Sequence, residues 1–161
     1  MATKKVKIEE GEMAPDFTLP SSDGSMVTLS ELRGKRVVLY FYPKDMTPGC
    51  TTEAHEFSEL ATKFQKNGVL IFGISADSIT RHKKFIKAEN ITFPLLADEG
   101  KEMLTAYGVW VEKSMYGKKY MGIERSTFII DAEGKFEKIY RKVKPEGHAV
   151  CVLGDVSSLL Y

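Results

Sequence analysis

The chain has 161 residues, a formal net charge of +1 and two cysteines. This length fits one domain with its own core, so we expect a single domain over residues 1–161, with residues 1–10 as a flexible or edge segment. The near-neutral charge argues against a nucleic-acid binder, which normally carries a concentrated basic excess. No run of about eighteen apolar residues is present, so no membrane-spanning helix is expected.

The N-terminus and the cysteines bear on the compartment. Residues 1–15, MATKKVKIEEGEMAP, contain lysines but no apolar segment after them, so we expect no secretory signal. Cys50 and Cys151 lie too far apart in the chain to suggest a disulfide framework. A reducing, cytoplasmic setting is therefore the expectation.

The first half of the chain alternates strand and helix signals. DFTLP and MVTL flank the turn residues 21–25, which predicts a hairpin. RVVLYFY and VLIFGIS are continuous apolar runs, typical of strands buried on both faces. Between these two runs, a helix ending at Asn67-Gly68 is predicted by apolar residues that recur every three to four positions, namely Ala54, Phe57, Leu60, Ala61 and Phe64.

The second half continues with a helix over Ser78 to Glu89, a short strand in FPLLAD and a short helix over Lys101 to Tyr107. VEKSMYGKKY is locally basic and is interpreted as a solvated loop. STFIID and KFEKIY flank a turn and predict a second hairpin. From Pro145 onwards a helix is predicted by apolar residues on one face, namely Ala149, Val152, Leu153, Val156 and Leu160.

This order of elements predicts an α/β fold. Strand, helix and strand come first and a hairpin comes late, which describes a central mixed β-sheet flanked by helices, with an N-terminal β-hairpin. The thioredoxin-like architecture has this order. The C-x-x-C redox pair of thioredoxin is absent, however, because Cys50 is followed by Thr51, Thr52 and Glu53.

Cys50 falls at the predicted start of a helix. Thr47 suits the N-cap, and Pro48 suits the first helical position. The free N–H groups and the positive end of the helix dipole favour the thiolate form of a cysteine placed there, by roughly 0.3–2 kcal/mol. A guanidinium about 5 Å away would contribute about 3 kcal/mol. Complete ionisation of a free thiol gains only about thirtyfold at neutral pH, so a fast thiol enzyme needs further groups, and the Thr47 hydroxyl is one candidate.

The segment YPKDMTPGCTTE, with its P-x-x-x-T-x-x-C spacing, resembles the active-site loop of the peroxiredoxins, specifically the bacterioferritin comigratory protein, or Q, type. MAPDFTLPSSDG, YGVW and GIERSTFIID resemble further segments of that family, and the likeness extends from about Gly11. The resemblance implies a thioredoxin-like fold. It also implies a thiol peroxidase that reduces hydrogen peroxide and organic hydroperoxides without a metal or an organic cofactor.

The resemblance also implies a role for four residues. Cys50 would be the peroxidatic thiolate that attacks the terminal peroxide oxygen, and Thr47 would hydrogen-bond the peroxide. Pro43 would shield the cysteine from water and over-oxidation. Arg125, in GIERSTF, would hold the thiolate and stabilise charge along the breaking O–O bond. The sulfenic acid formed on Cys50 would be reduced by thioredoxin or another thiol.

The chain departs from the family pattern at His55, where many Q-type members carry a resolving cysteine. One explanation is a one-cysteine enzyme reduced by an external thiol. The other is that Cys151 resolves the sulfenic acid. A helical wheel places Cys151 opposite the apolar stripe of the last helix, which predicts an accessible thiol. Accessibility alone does not bring it within the roughly 7 Å that a disulfide requires between Cα atoms. Both a monomer and a homodimer fit the sequence.

Two alternative functions use the same cysteine. A cysteine hydrolase or acyltransferase would need a base partner, but His55, His82 and His148 follow no recognisable motif, metal-ligand spacing included. A peroxide sensor or redox-relay protein would share the oxidation chemistry and show little turnover.

Overall fold

The computed structural model describes residues 8–157. In chain order its strands are β1 (Thr18–Pro20), β2 (Met26–Thr28), β3 (Arg36–Phe41), β4 (Val69–Ser75), β5 (Leu95–Ala97), β6 (Trp110–Met115), β7 (Lys118–Ile123), β8 (Ser126–Ile130) and β9 (Phe136–Tyr140). Its α-helices are α1 (Pro48–Lys66), α2 (Ile79–Glu89), α3 (Glu102–Ala106) and α4 (His148–Ser157). No helix in residues 8–157 is long and apolar enough to cross a membrane.

The central sheet has five strands in the order β5-β4-β3-β8-β9. β3 pairs in parallel with β4 and antiparallel with β8, so the sheet is mixed. β1 and β2 form the predicted N-terminal hairpin, with Thr18 opposite Thr28. These features confirm the predicted thioredoxin-like α/β fold.

The apolar run of β3 is buried on both faces because helices or loops cover each side of the sheet. Alternate residues point to opposite faces, so Leu39 and Phe41 join one core cluster while Val38 and Tyr40 join the other. The second cluster lies beneath α1, α2 and α4, and it contains Cys50. The central sheet therefore supports the N-terminal end of α1, which carries the thiol.

Gly73 allows the side chains of neighbouring strands to approach closely at the centre of the sheet. It pairs with Tyr40 across the parallel strands. A Cβ atom at Gly73 would lie 2.7 Å from Leu95 Cδ2 and 2.8 Å from Tyr40 Cζ. The Tyr40 ring, which stacks on Phe57 of α1 with centroids 4.7 Å apart, thus occupies the space of the missing side chain.

The interpretation of VEKSMYGKKY as a loop was wrong. It forms most of an antiparallel hairpin of β6 and β7, turning at Tyr116 and Gly117 with φ of 52° and 79°. Most side chains of this hairpin are exposed or half-buried, so its sequence lacks the apolar alternation that indicates a strand.

Both chain ends carry predictions that fall partly outside the described residues. Residues 1–7 of the predicted flexible or edge segment lie outside them, as does Leu160 of the predicted apolar stripe. Glu10, within the predicted segment, lies beside β9, and its Oε2 accepts a hydrogen bond from the Ile139 amide at 3.1 Å.

Candidate active site

The thiol lies at the start of α1, as predicted. Pro48 is the first residue of the helix, and Thr47 is its N-cap with extended backbone. The Thr47 hydroxyl makes no capping bond and instead donates to the Lys44 carbonyl oxygen at 2.8 Å. Met46 adopts a φ of 65°, which costs a non-glycine residue on the order of 1–3 kcal/mol. Cys50 follows in the first turn of the helix and is only 1% exposed.

Arg125 reaches Cys50 because of the sheet register. Ser126, the first residue of β8, pairs with Phe41, the last residue of β3. Arg125 is therefore held beside the point where the chain leaves the sheet for α1. Its Nη2 lies 3.3 Å from the Cys50 Sγ, so the two residues predicted to share the site are in contact. A thiolate beside this guanidinium is stabilised by its charge and by a hydrogen bond.

Glu53 completes this arrangement and was not among the predicted site residues. It lies three residues after Cys50 on the same face of α1 and is fully buried. Its Oε1 accepts a hydrogen bond from Arg125 Nη1 at 2.6 Å, while its Oε2 has no partner among the described residues. Burial raises the pKa of Glu53 to about 7, and the Arg125 charge opposes that rise.

The guanidinium of Arg125 thus bridges the thiol and the carboxyl group. Burial alone would lower the pKa of Arg125, but the neighbouring Glu53 and Cys50 charges raise it above its ordinary value. The sequence contains a signal for Glu53, because its position falls on the apolar stripe of the predicted helix, one place before Ala54. A carboxyl group on a buried helical face indicates a buried partner.

Pro43 and Thr47 precede the helix without a hydrogen bond to the Cys50 sulfur among the described residues. Pro43 is half-buried and lines a cavity of about 490 Å³ beside the β6–β7 hairpin. Lys113 of that hairpin lines the same cavity. Burial lowers the pKa of Lys113, and the Arg125 charge lowers it further. The hairpin that the sequence did not predict therefore forms a wall next to the thiol segment.

Cys151 lies on the exposed side of α4, as the helical wheel predicted. The inward side of that helix carries Ala149 and Val152, which pack in the same core cluster as Cys50. Both cysteines are free thiols.

The three histidines have other partners than Cys50 within residues 8–157. His55 pairs with Glu89 at 2.8 Å, and the His148 Nε2 lies 2.8 Å from the Thr127 Oγ1. His82 is hydrogen-bonded to Asp45 at 2.7 Å. None of these histidines therefore contacts the Cys50 sulfur through a hydrogen bond within residues 8–157, as the base of a cysteine hydrolase would.

Comparisons with known proteins identify the family of the chain. The model of the AhpC/TSA family matches residues 11–139. A putative peroxiredoxin bcp of Coxiella burnetii is 48% identical over 149 residues, covering 92% of this chain and 99% of that protein. Peroxiredoxin Bcp of Bacillus subtilis is 48% identical over 153 residues, covering 93% and 98%.

A solved structure shares the fold as well. It is a trapped intermediate or ligand complex of the bacterioferritin comigratory protein of Xanthomonas campestris, a study of alkyl peroxide reduction by that protein. The TM-score is 0.86 at 42% identity, covering 90% of this chain and 92% of the other. The chain therefore belongs to the AhpC/TSA family, as a thiol peroxidase of the bacterioferritin comigratory protein, or Q, type of peroxiredoxin.

Proposed function

We propose that Cys50 reduces hydrogen peroxide and organic hydroperoxides by a one-cysteine cycle. The thiolate attacks the terminal peroxide oxygen and the O–O bond breaks. The bond's electron pair leaves on the second oxygen, which takes a proton to become water or an alcohol. Sulfur is oxidised by two electrons to a sulfenic acid, and the peroxide is reduced by two. One external thiol then forms a mixed disulfide and releases water, and a second thiol frees Cys50.

The observation that carries this proposal is the 3.3 Å contact between Arg125 Nη2 and the Cys50 Sγ at a buried helix start. Water is largely excluded at this site, so the guanidinium acts in a low dielectric, where charge interactions are strong. In the oxidation step negative charge moves from sulfur towards the leaving oxygen. A cation placed beside the sulfur can stabilise that charge throughout the step.

The predicted roles of Thr47 and Pro43 are part of the proposal. The Thr47 O–H already donates to the Lys44 carbonyl, so its oxygen lone pairs can accept the hydrogen of a hydroperoxide. This would orient the terminal oxygen towards Cys50. Pro43 lacks an N–H and is half-buried in the wall of the cavity beside the β6–β7 hairpin, which fits a role as a shield.

The reduction half of the cycle depends on whether a second cysteine can react with the sulfenic acid on Cys50. His55 occupies the position five residues after Cys50 and is hydrogen-bonded to Glu89 on α2. Cys151 lies on the outward face of α4, whereas Cys50 is buried. These placements favour an external reductant such as thioredoxin. Two free thiols fit a reducing compartment, so we also propose a cytoplasmic location. Fractionation of the source cells tests this, and recovery of the protein outside the cytoplasm would refute it.

We propose organic hydroperoxides as substrates because the similar bacterioferritin comigratory protein of Xanthomonas campestris has an alkyl peroxide reduction activity. The same chemistry at Cys50 requires only that the terminal peroxide oxygen reach the sulfur. Peroxide consumption with hydrogen peroxide and with a tertiary alkyl hydroperoxide compares the two classes.

Matched serine variants of the two cysteines test the cycle. We expect Cys50→Ser to abolish thioredoxin-dependent peroxide consumption and Cys151→Ser to retain most of it. Mass spectrometry after substoichiometric peroxide should show one added oxygen on Cys50 in the Cys151→Ser protein. If Cys151→Ser also stops turnover, the one-cysteine cycle is wrong. If Cys50 gains oxygen rapidly but no thiol reductant supports turnover, the protein is instead a sensor or redox relay.

A further inference from the structure

A buried polar cluster adjoins the segment that leads into α1. Asp45, in the middle of that segment, is 1% exposed, and His82 of α2 is fully buried. The Tyr42 O–H donates to Asp45 Oδ1 at 2.5 Å, and the His82 Nδ1 lies 2.7 Å from Asp45 Oδ2. The established chemistry at Cys50 does not use any of these groups.

The hydrogen bonds of His82 define the charge of the cluster. Its Nε2 lies 2.9 Å from the Leu96 carbonyl oxygen, which can only accept, so Nε2 carries a hydrogen. One further proton is shared between His82 Nδ1 and Asp45 Oδ2. The histidine and the aspartate together are therefore neutral, which is the condition for burying both of them.

The backbone of Asp45 is held as firmly as its side chain. Its N–H donates to Asp77 Oδ2 at 2.8 Å, and its carbonyl oxygen accepts from Arg81 Nη2 at 3.2 Å. The next residue, Met46, is the one with a φ of 65°, which L residues rarely adopt. A strained residue of this kind persists only where its surroundings fix the chain on either side.

We propose that Asp45 and His82 are positioning residues that hold Thr47 in place for the hydroperoxide. The residue before Asp45 is Lys44, whose carbonyl oxygen receives the Thr47 O–H. The contacts that hold Asp45 against α2 therefore also fix the Lys44 carbonyl oxygen, which orients the Thr47 oxygen. Neither Asp45 nor His82 touches the peroxide. This inference rests on the proposed role of Thr47 at Cys50.

The first test removes the hydroxyl group from each of two buried tyrosines. Tyr42→Phe deletes the bond to Asp45 and the longer 3.4 Å contact with His82 Nδ1, and it should slow the oxidation of Cys50 by hydrogen peroxide about tenfold. Tyr107→Phe is the matched control, because its hydroxyl donates to the Pro15 carbonyl at 2.7 Å and its ring packs in the other core cluster. The control should retain the wild-type rate. Alkylation of Cys50 by iodoacetamide does not use the Thr47 oxygen and should stay within threefold in both variants.

A double-mutant cycle then separates positioning from general stability. In a Thr47→Val background, Tyr42→Phe should slow oxidation by less than twofold, because the group it positions is already gone. A conservative change provides the rescue. Asp45→Asn can accept from Tyr42 and donate to a neutral His82, so it should recover most of the rate that Asp45→Ala loses.

Several outcomes would overturn the inference. Cys50 could be oxidised as fast in Tyr42→Phe as in Tyr107→Phe. Alternatively, Tyr42→Phe could reduce the oxidation rate by the same factor in the presence and in the absence of the Thr47 hydroxyl. Alkylation could also slow in step with oxidation, which would point to a disturbed thiol. Because Tyr42→Phe removes one oxygen atom only, it provides the comparison even if Asp45→Ala does not fold. A wild-type protein that fails to reduce peroxide at all would instead refute the proposed function.

Discussion

Replacing Arg125 with methionine tests whether the guanidinium does more than ionise the thiol. At the observed 3.3 Å, and with an effective dielectric of about 20, its attraction for a thiolate is about 5 kcal/mol. Losing the thiolate form costs a free, solvated thiol about thirtyfold at neutral pH, and it costs more for a thiol as buried as Cys50. Removing one transition-state donor costs about 10²–10³ in other enzymes. We therefore expect Arg125→Met to slow oxidation of Cys50 by roughly 10³-fold or more at pH 7.

The pH dependence separates the two contributions. Raising the pH restores the thiolate but not the transition-state donor, so a deficit of roughly 10² should remain where the rate no longer rises with pH. Stopped-flow mixing with hydrogen peroxide at a series of pH values measures both. Recovery of the full wild-type rate at high pH would refute any role in the transition state.

Arg36→Met is the matched control for this prediction. Arg36 also forms an ion pair with a glutamate, with its Nη2 2.6 Å from Glu137 Oε2, but it lies at the start of β3 while the thiol segment follows its end. It should lose stability without losing the rate of oxidation. An equal loss of rate in both variants would attribute the effect to folding.

Two further substitutions test burial around the site. Protonated Glu53 contributes stability that is fully present below its ordinary pKa of 4.5 and is lost as the pH rises through about 7, so wild-type stability should fall across that span by about 3 kcal/mol relative to Glu53→Gln. Urea unfolding of both proteins at pH 4.5 and 8 measures this difference, and equal changes in the two would contradict it. Gly73→Ala should destabilise the protein by about 1–3 kcal/mol, because the new Cβ would lie 2.8 Å from Tyr40 Cζ. Thermal unfolding checks this, and an unchanged melting temperature would show that Tyr40 moves aside.

The central fold could be predicted from the sequence because its elements carry strong local signals. β3 and β4 are continuous apolar runs, and the apolar period of α1 survives over several turns. The β6–β7 hairpin could not be identified in this way, since its residues face solvent or a cavity and show no alternation. Its one local signal was the Tyr116-Gly117 pair, which suits a two-residue turn with positive φ at both positions.

The candidate site divides along similar lines. Cys50 at a helix start follows from Thr47 and Pro48, and Arg125 was identified only through the resemblance of its segment to the peroxiredoxins. The contacts of Asp45 with His82 join residues 37 positions apart in the chain. Such a pairing depends on how α2 packs against the thiol segment. A single sequence contains no local pattern that encodes it, so the support behind the site became visible only in the folded protein.

The charges around Cys50 explain why a glutamate can share the arginine without weakening it. A fully ionised Glu53 would neutralise the guanidinium that the thiolate needs. Burial opposes this ionisation and holds the pKa of Glu53 at about 7, so the carboxyl group carries only part of a charge at neutral pH. Its Oε1 still fixes Arg125 Nη1 at 2.6 Å, which directs Nη2 of the rigid fork at the sulfur. Glu53 therefore orients the arginine, while its own burial keeps part of the positive charge available to Cys50.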